Sequence, residues 1–110
     1  MCIRDRLLTR LARGELLSPE STDELIGVMA RTRTGAQRLR ADWPDTVSFA
    51  HKTGTQRGRF CDGGIAIQNR DDGAHRVAVV ACARDSLSLA RSEQALKEVG
   101  RAVWQSGVFH

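Results

Sequence analysis

The chain has little with which to build an aromatic surface: three phenylalanines, two tryptophans and no tyrosine among 110 residues. A net charge of +4 would otherwise suggest a nucleic-acid partner. Without stacking rings or a recognisable binding motif, the scattered arginines read as solvated surface charge, and no nucleic-acid partner is expected. Long apolar runs are also missing, which excludes a membrane-spanning helix, and no signal-peptide pattern opens the chain. That second absence carries no weight if Met1 is not the native start. The three cysteines, Cys2, Cys61 and Cys82, have no metal-ligand spacing, and nothing in the sequence calls for a metal or cofactor. Repeats, linkers and low-complexity tracts are absent. What remains, at 41% apolar content, is enough for one domain with a modest core.

The coarse pattern predicts an α+β chain. Ser18 and Pro19 read as N-cap and first residue of a helix that runs to about Arg31, with Leu25, Ile26 and Met29 as its apolar face. An Arg-rich connection from Thr32 to Asp45 contains the Trp43-Pro44 stop. Val47 then opens an alternating strand. Gly63 to Gln68 predicts a second strand, Asn69 to Ala74 a polar turn, and Arg76 to Ala83 a third, β-branched strand. Asp85 and Ser86 offer caps to a closing helix whose buried stripe is Leu89, Leu96, Val99 and Val103, stopped by Gly107. The strands should pair as an antiparallel meander with the closing helix packed against it.

The chemistry concentrates in Val47-Ser-Phe-Ala-His-Lys-Thr-Gly-Thr55. Val47 and Phe49 share one face of the strand, and Ser48 and Ala50 the other. Lys52 then puts a cation where the strand meets a cleft, where a partly desolvated ammonium attracts carboxylates and eases proton transfer. Thr53 and Thr55 share a face, and Gly54 between them has no Cβ, so another element can approach the strand closely. His51 falls by alternation on the Val47 and Phe49 face and reads as a structural histidine. His75, at a hairpin exit, and His110, at the chain end, receive no role. Cys61 and Cys82, on neighbouring predicted strands, could meet across the sheet, but small buried core residues are the reading adopted.

Lys52-Thr53-Gly54 resembles the third active-site element of serine β-lactamases and penicillin-binding proteins. Around it, Leu7 to Gly107 resembles the C-terminal part of class A β-lactamases almost without gaps. Gly14 to Ser21, then Thr34-Gly35-Ala-Gln-Arg38-Leu-Arg40 with Trp43-Pro44, then Glu98-Val99-Gly100 fall in the family's order and at its separations. The resemblance implies a α/β/α sandwich and roles residue by residue. Lys52 would hold the electrostatics of the site, and Thr53, Gly54 and Thr55 would line the substrate, which lies along the strand edge. The Thr55 backbone N–H would be an oxyanion-hole donor. The strand after Lys-Thr-Gly usually brings a carboxylate-binding arginine, but here it reads Phe60-Cys61-Asp62-Gly63-Gly64. Arg38 matches the position that substitutes in members lacking it, where a planar, always-charged fork suits a carboxylate; alone it would read as surface charge among Arg31, Arg33 and Arg40.

The chain contains neither Ser-x-x-Lys, nor Ser-Asp-Asn, nor the Glu-bearing deacylation loop, all of which the resemblance puts upstream of Leu7. Residues 1–6 match nothing in the family and read as a non-native leader; residues 7–110 read as the C-terminal segment of a β-lactamase-like domain. The implied parent is a periplasmic or secreted, monomeric serine hydrolase of small-molecule β-lactams, and the 110 residues alone are expected to be inactive. A D,D-peptidase or esterase of the same superfamily, or a self-contained small basic α+β binding module, are the alternatives. Without the covers of the complete fold, one sheet face and the edge at Arg76 to Ala83 should be exposed.

Overall fold

A computed structural model describes residues 3–84 and 88–109. In chain order it has helix α1 (Ile3–Ala12), helix α2 (Pro19–Ala30), a 3-10 turn (Leu39–Asp42), strands β1 (Val47–Gln56), β2 (Arg59–Arg70) and β3 (Gly73–Arg84), and helix α3 (Leu89–Gln105). The three strands form an antiparallel meander in the order β1-β2-β3. The α+β class, the meander and the closing helix are therefore as the sequence predicts. Helix α1 runs unbroken across the predicted boundary between residues 6 and 7.

The strands are longer than hydrophobic alternation indicates. β1 continues through Lys52-Thr53-Gly54 to Gln56, and β2 begins at Arg59 rather than Gly63, so Thr53↔Asp62, Gly54↔Cys61 and Thr55↔Phe60 are register partners. Backbone pairing needs no apolar side chain, so the ladder runs on past the core to a two-residue turn at Arg57-Gly58. The second turn is likewise only Asp71-Asp72, with Asn69↔Ala74 and Arg70↔Gly73 paired.

Ser18 caps α2 as predicted, its Oγ accepting the Ser21 N–H at 3.2 Å with Pro19 at the first turn. The buried face of α2 is Thr22 and Ile26 with Met29 beside them; Leu25 points to solvent. The predicted caps Asp85 and Ser86 lie outside the described residues. The described cap of α3 is Ser88, which accepts from the Arg91 N–H at 3.2 Å. The stripe of α3 also differs: Ser92, Leu96 and Gly100 are buried and Val103 is partly so, whereas Leu89 and Val99 are exposed. The cause is Gly100. A Cβ there would stand 1.8 Å from the Leu39 carbonyl oxygen, so the helix turns its bare position onto the 3-10 turn and rotates Val99 outward. Trp43 Nε1 donates to the Gly100 carbonyl at 2.8 Å and completes the junction.

Two clusters sandwich the sheet. On one face Leu39, Trp43, Val47, Phe49, Ala66, Val79 and Phe109 pack under α3 and the C-terminal turn, with Trp43 edge-on to Phe49 (4.9 Å) and Phe109 (5.0 Å). On the other, Leu11, Ile26, Ala50 and Ile65 pack under α1 and α2. The face expected to be bare is therefore covered, because α1 and α2 fold onto the sheet. β3 is an edge strand, as expected.

Candidate active site strand

The outgoing half of β1, Lys52 to Gln56, is an edge with different surroundings on its two faces. One face carries Thr53 and Thr55. Thr34 Oγ1 lies 2.9 Å from Thr53 Oγ1, and Thr32 Oγ1 donates to the His51 carbonyl at 2.9 Å, so the connection after α2 lies against this edge. Its passage over the strand needs Gly35: φ is +77°, and a Cβ would fall 2.6 Å from Thr53 Cγ2. The Thr34-Gly35 pair noticed in the sequence is thus a seat for the motif strand.

Arg38 follows on the same connection and is 5% exposed. Its Nη2 donates to Thr55 Oγ1 at 2.7 Å, Nη1 donates to the Cys61 carbonyl at 2.8 Å and, longer, to the Gly54 carbonyl at 3.4 Å, and Nε meets Glu93 Oε2 of α3 at 3.3 Å. The guanidinium ties three elements to the strand end, using its fixed fork of donors. It stands directly behind Thr55, beside the edge along which the resemblance places substrate. Glu93 was not singled out in the sequence; a buried arginine's need for an anionic partner is the signal that points to it.

Below Thr53 and behind the strand is a buried pair. His51, 1% exposed, stacks on Phe49 with ring centroids 4.6 Å apart, and its Nδ1 lies 2.7 Å from Asp62 Oδ1. His51 is therefore a packed residue on the Phe49 face, as alternation places it. Asp62 is fully buried in the apolar run where the family resemblance leads one to look for arginine; His51 meets its Oδ1, while its Oδ2 is buried with no hydrogen-bond partner among the described residues.

The opposite face, with Lys52 and Gly54, borders a cavity of about 460 Å³ between α1 and the sheet. Leu7, Leu8 and Met29 form its helical wall, and Gly54, Cys61 and Gly63 part of its sheet wall. Lys52 is exposed, and its Nζ donates to the Thr53 carbonyl. A Cβ on Gly54 would reach only the Cys61 Cβ, at 3.9 Å, so this part of the strand surface is open. Cys61 is not a free core thiol: it is bonded to Cys82, its direct register partner on β3. The preferred sequence reading of these cysteines is corrected, because antiparallel pairing sets them face to face on one side of the sheet. Among the described residues no cluster of three His, Cys, Asp or Glu side chains could hold a metal ion, and no helix is long and apolar enough to cross a membrane.

Lys52, Thr53, Gly54, Thr55 and Arg38 are thus gathered at one strand end, with a basic group on each side of the edge. In an antiparallel ladder closed by a two-residue loop the closing pair is hydrogen-bonded, so the amides of Thr53 and Thr55 face away from β2. What the arrangement offers chemically is outward main-chain donors flanked by two hydroxyls and two cations, suited to an acyl or carboxylate group.

Comparison with known proteins follows the same line. The family model described as beta-lactamase enzyme family matches residues 5–106. Among solved structures, PBP-A is similar over 94% of this chain and 37% of its own, with 30% identity and a TM-score of 0.77. A variant of PBP-A is also known as an acyl-enzyme complex with penicillin G. The TLA-1 extended-spectrum β-lactamase is similar over 96% of this chain and 40% of its own, with 30% identity and a TM-score of 0.76. A β-lactamase from Chitinophaga pinensis matches at 32% identity, over 93% and 39%, with a TM-score of 0.74. Comparison with curated proteins gives no match. The chain spans about two fifths of the length of the structures it resembles. With a family match over nearly its whole length and a meander that carries Lys-Thr-Gly on its edge strand, the chain belongs to the beta-lactamase enzyme family.

Proposed function

We propose that these residues are the substrate-binding strand of a serine β-lactamase, whose nucleophile belongs to sequence outside the 110 residues. The observation that carries the reading is the arrangement at the end of β1, where Arg38 Nη2 lies 2.7 Å from Thr55 Oγ1 and Lys52 stands exposed on the opposite face of the same edge. A β-lactam lies along this edge as an added strand would. Thr53 and Thr55 hydroxyls meet its carboxylate and acylamide groups. The Thr55 N–H donates to the carbonyl oxygen as it becomes tetrahedral, an interaction that strengthens toward the transition state. Arg38 supplies positive charge behind Thr55 on the carboxylate side, and Lys52 holds the field in which the serine loses its proton. The amide opens through an acyl-enzyme that water then hydrolyses. No metal or cofactor enters this scheme. The Cys61–Cys82 bond fits an exported protein, since disulfides persist in the periplasm and outside the cell.

A second reading is supported by the similarity to PBP-A, which equals that to TLA-1 in identity. In a D,D-peptidase or esterase the same strand holds a peptide or ester, and the acyl-enzyme formed with penicillin persists. Both readings are tested with a chain carrying the upstream sequence recovered from the source DNA. β-Lactamase function predicts turnover of a chromogenic cephalosporin that falls about a thousandfold in Lys52→Ala, the scale of losing a main electrostatic contact. Stoichiometric acylation without turnover selects the peptidase, and the absence of both turnover and acylation sinks both readings. The 110 residues alone should give no turnover.

A further inference from the structure

The Cys61–Cys82 bond lies where the proposed substrate strand most needs support. β2 and β3 are joined by the Asp71-Asp72 turn, and the Cys61↔Cys82 pair is near the other, open end of that hairpin, followed only by Phe60↔Ala83 and Arg59↔Arg84. β3 has no strand beyond it among the described residues. Open hairpin ends at a sheet edge separate more readily than the core-packed middle. Yet this end is the one that backs the site. Cys61 is the register partner of Gly54, and its carbonyl accepts Arg38 Nη1 at 2.8 Å while the other arm of the same guanidinium holds Thr55 Oγ1 at 2.7 Å.

We propose that the Cys61–Cys82 disulfide is the positioning element of the Lys52–Thr55 strand end, so that Arg38 and Thr55 are held in place in the oxidised protein and released in the reduced one. The functional consequence, oxidation-dependent substrate recognition, rests on the β-lactam reading above. The release step is thiol–disulfide exchange. A thiolate of a small dithiol attacks the sulfur of exposed Cys82, breaking the Cys61–Cys82 bond and forming a mixed disulfide. The dithiol's second sulfur then closes on the first and leaves Cys61 and Cys82 as thiols, the protein gaining two electrons and two protons and the dithiol becoming a cyclic disulfide. Cys61 is buried but borders the cavity. Its strand is then held to β3 at this end by the ladder alone.

The test is amide hydrogen exchange on the 110-residue chain, oxidised and dithiothreitol-reduced, comparing Gly54 and Cys61 with Ala50 and Ile65, a hydrogen-bonded pair at the core end of the same two strands. The expected result is exchange about tenfold faster at Gly54 and Cys61 on reduction, with Ala50 and Ile65 little changed, as local opening predicts. The Cys61→Ala, Cys82→Ala double variant should match the reduced chain and ignore the reductant. Equal acceleration everywhere would mean the bond acts only on global stability and overturns the proposal, as does no change at Gly54 and Cys61. If the double variant does not fold, the wild-type comparison still decides. In a chain carrying the upstream sequence, reduction should lower kcat/KM for a cephalosporin several-fold, and reoxidation by a small disulfide should restore it. Activity unaltered by reduction overturns the functional half. Absence of turnover in both redox states sinks the β-lactam reading instead, and the exchange result stands as the decision on positioning.

Discussion

The two faces of the sheet are built differently. Under α3, Leu39, Phe49 and Phe109 are almost wholly buried, aromatic edges meet Trp43 from two sides, and Gly100 lets a helix rest directly on the backbone of the 3-10 turn. Under α1 and α2 the cluster is smaller, Met29 is only partly buried, Leu7 is 53% exposed, and a cavity of about 460 Å³ reaches the site strand. The larger apolar cluster therefore lies on the face opposite this cavity, and Lys52 and Gly54 border the cavity itself. Close-packed regions resist deformation and loosely packed ones admit a partner. β1 belongs to both regimes along its length.

The sharpest way to break this comparison is at the closed face. Gly100→Ala should cost about 3 kcal/mol or more, since the new methyl would meet backbone at the Leu39 carbonyl and not a side chain that can turn away. Phe49→Ala should fall in the range of about 3–5 kcal/mol, with its contacts to Trp43 and His51 lost together. Urea unfolding at constant m-value measures both. Losses below about 1 kcal/mol would mean that this face is not the stabilising one.

His51→Ala tests the boundary between the regimes. It leaves Asp62, fully buried, without the ring nitrogen 2.7 Å from its Oδ1, and a buried carboxyl stripped of its partner costs about 3 kcal/mol. His51→Gln keeps a donor and should lose less. Equal losses in the two variants would show that ring packing on Phe49, and not the Asp62 contact, is what His51 contributes. On the cavity side, Met29→Ala should cost only about 1 kcal/mol, because the side chain is only partly buried and borders the cavity.

How far the sequence carried these assignments depends on what each rests on. Periodicity and turn chemistry located α2, the meander and the Gly107 stop, since apolar alternation and capping residues are local signals. It failed where backbone geometry decides. Gly100 turned the α3 stripe away from Val99, and ladder continuation lengthened β1 and β2 past the last apolar residue. The motif residues were legible as types in a pattern, but their partners were not. Glu93 lies far along the chain from Arg38, and Asp62 reads as an anomaly until His51 is seen beside it. The Cys61–Cys82 bond needed the register of β2 and β3, which neither cysteine announces.

The smallest effect expected on the stability of this chain is the most informative about the cavity face. Gly54→Ala adds a methyl that meets only the Cys61 Cβ at 3.9 Å, an ordinary contact, and removes a flexible glycine from a strand. Its unfolding free energy should therefore change by less than about 0.5 kcal/mol. In a chain carrying the upstream sequence the same methyl would stand on the face that the bare Gly54 leaves open for another element to approach. A displacement of about 1 Å between strand and nucleophile lowers kcat/KM by about a hundredfold. A variant that is as stable as wild type in 110 residues and disabled in the longer chain separates the two roles of β1: a strand packed for stability at its Val47 end, and an open surface for another element at Gly54. If Gly54→Ala destabilises the short chain, the cavity face is already packed against the strand. If it leaves the longer enzyme fully active, no element approaches Gly54 closely, and the bare position has no part in the chemistry.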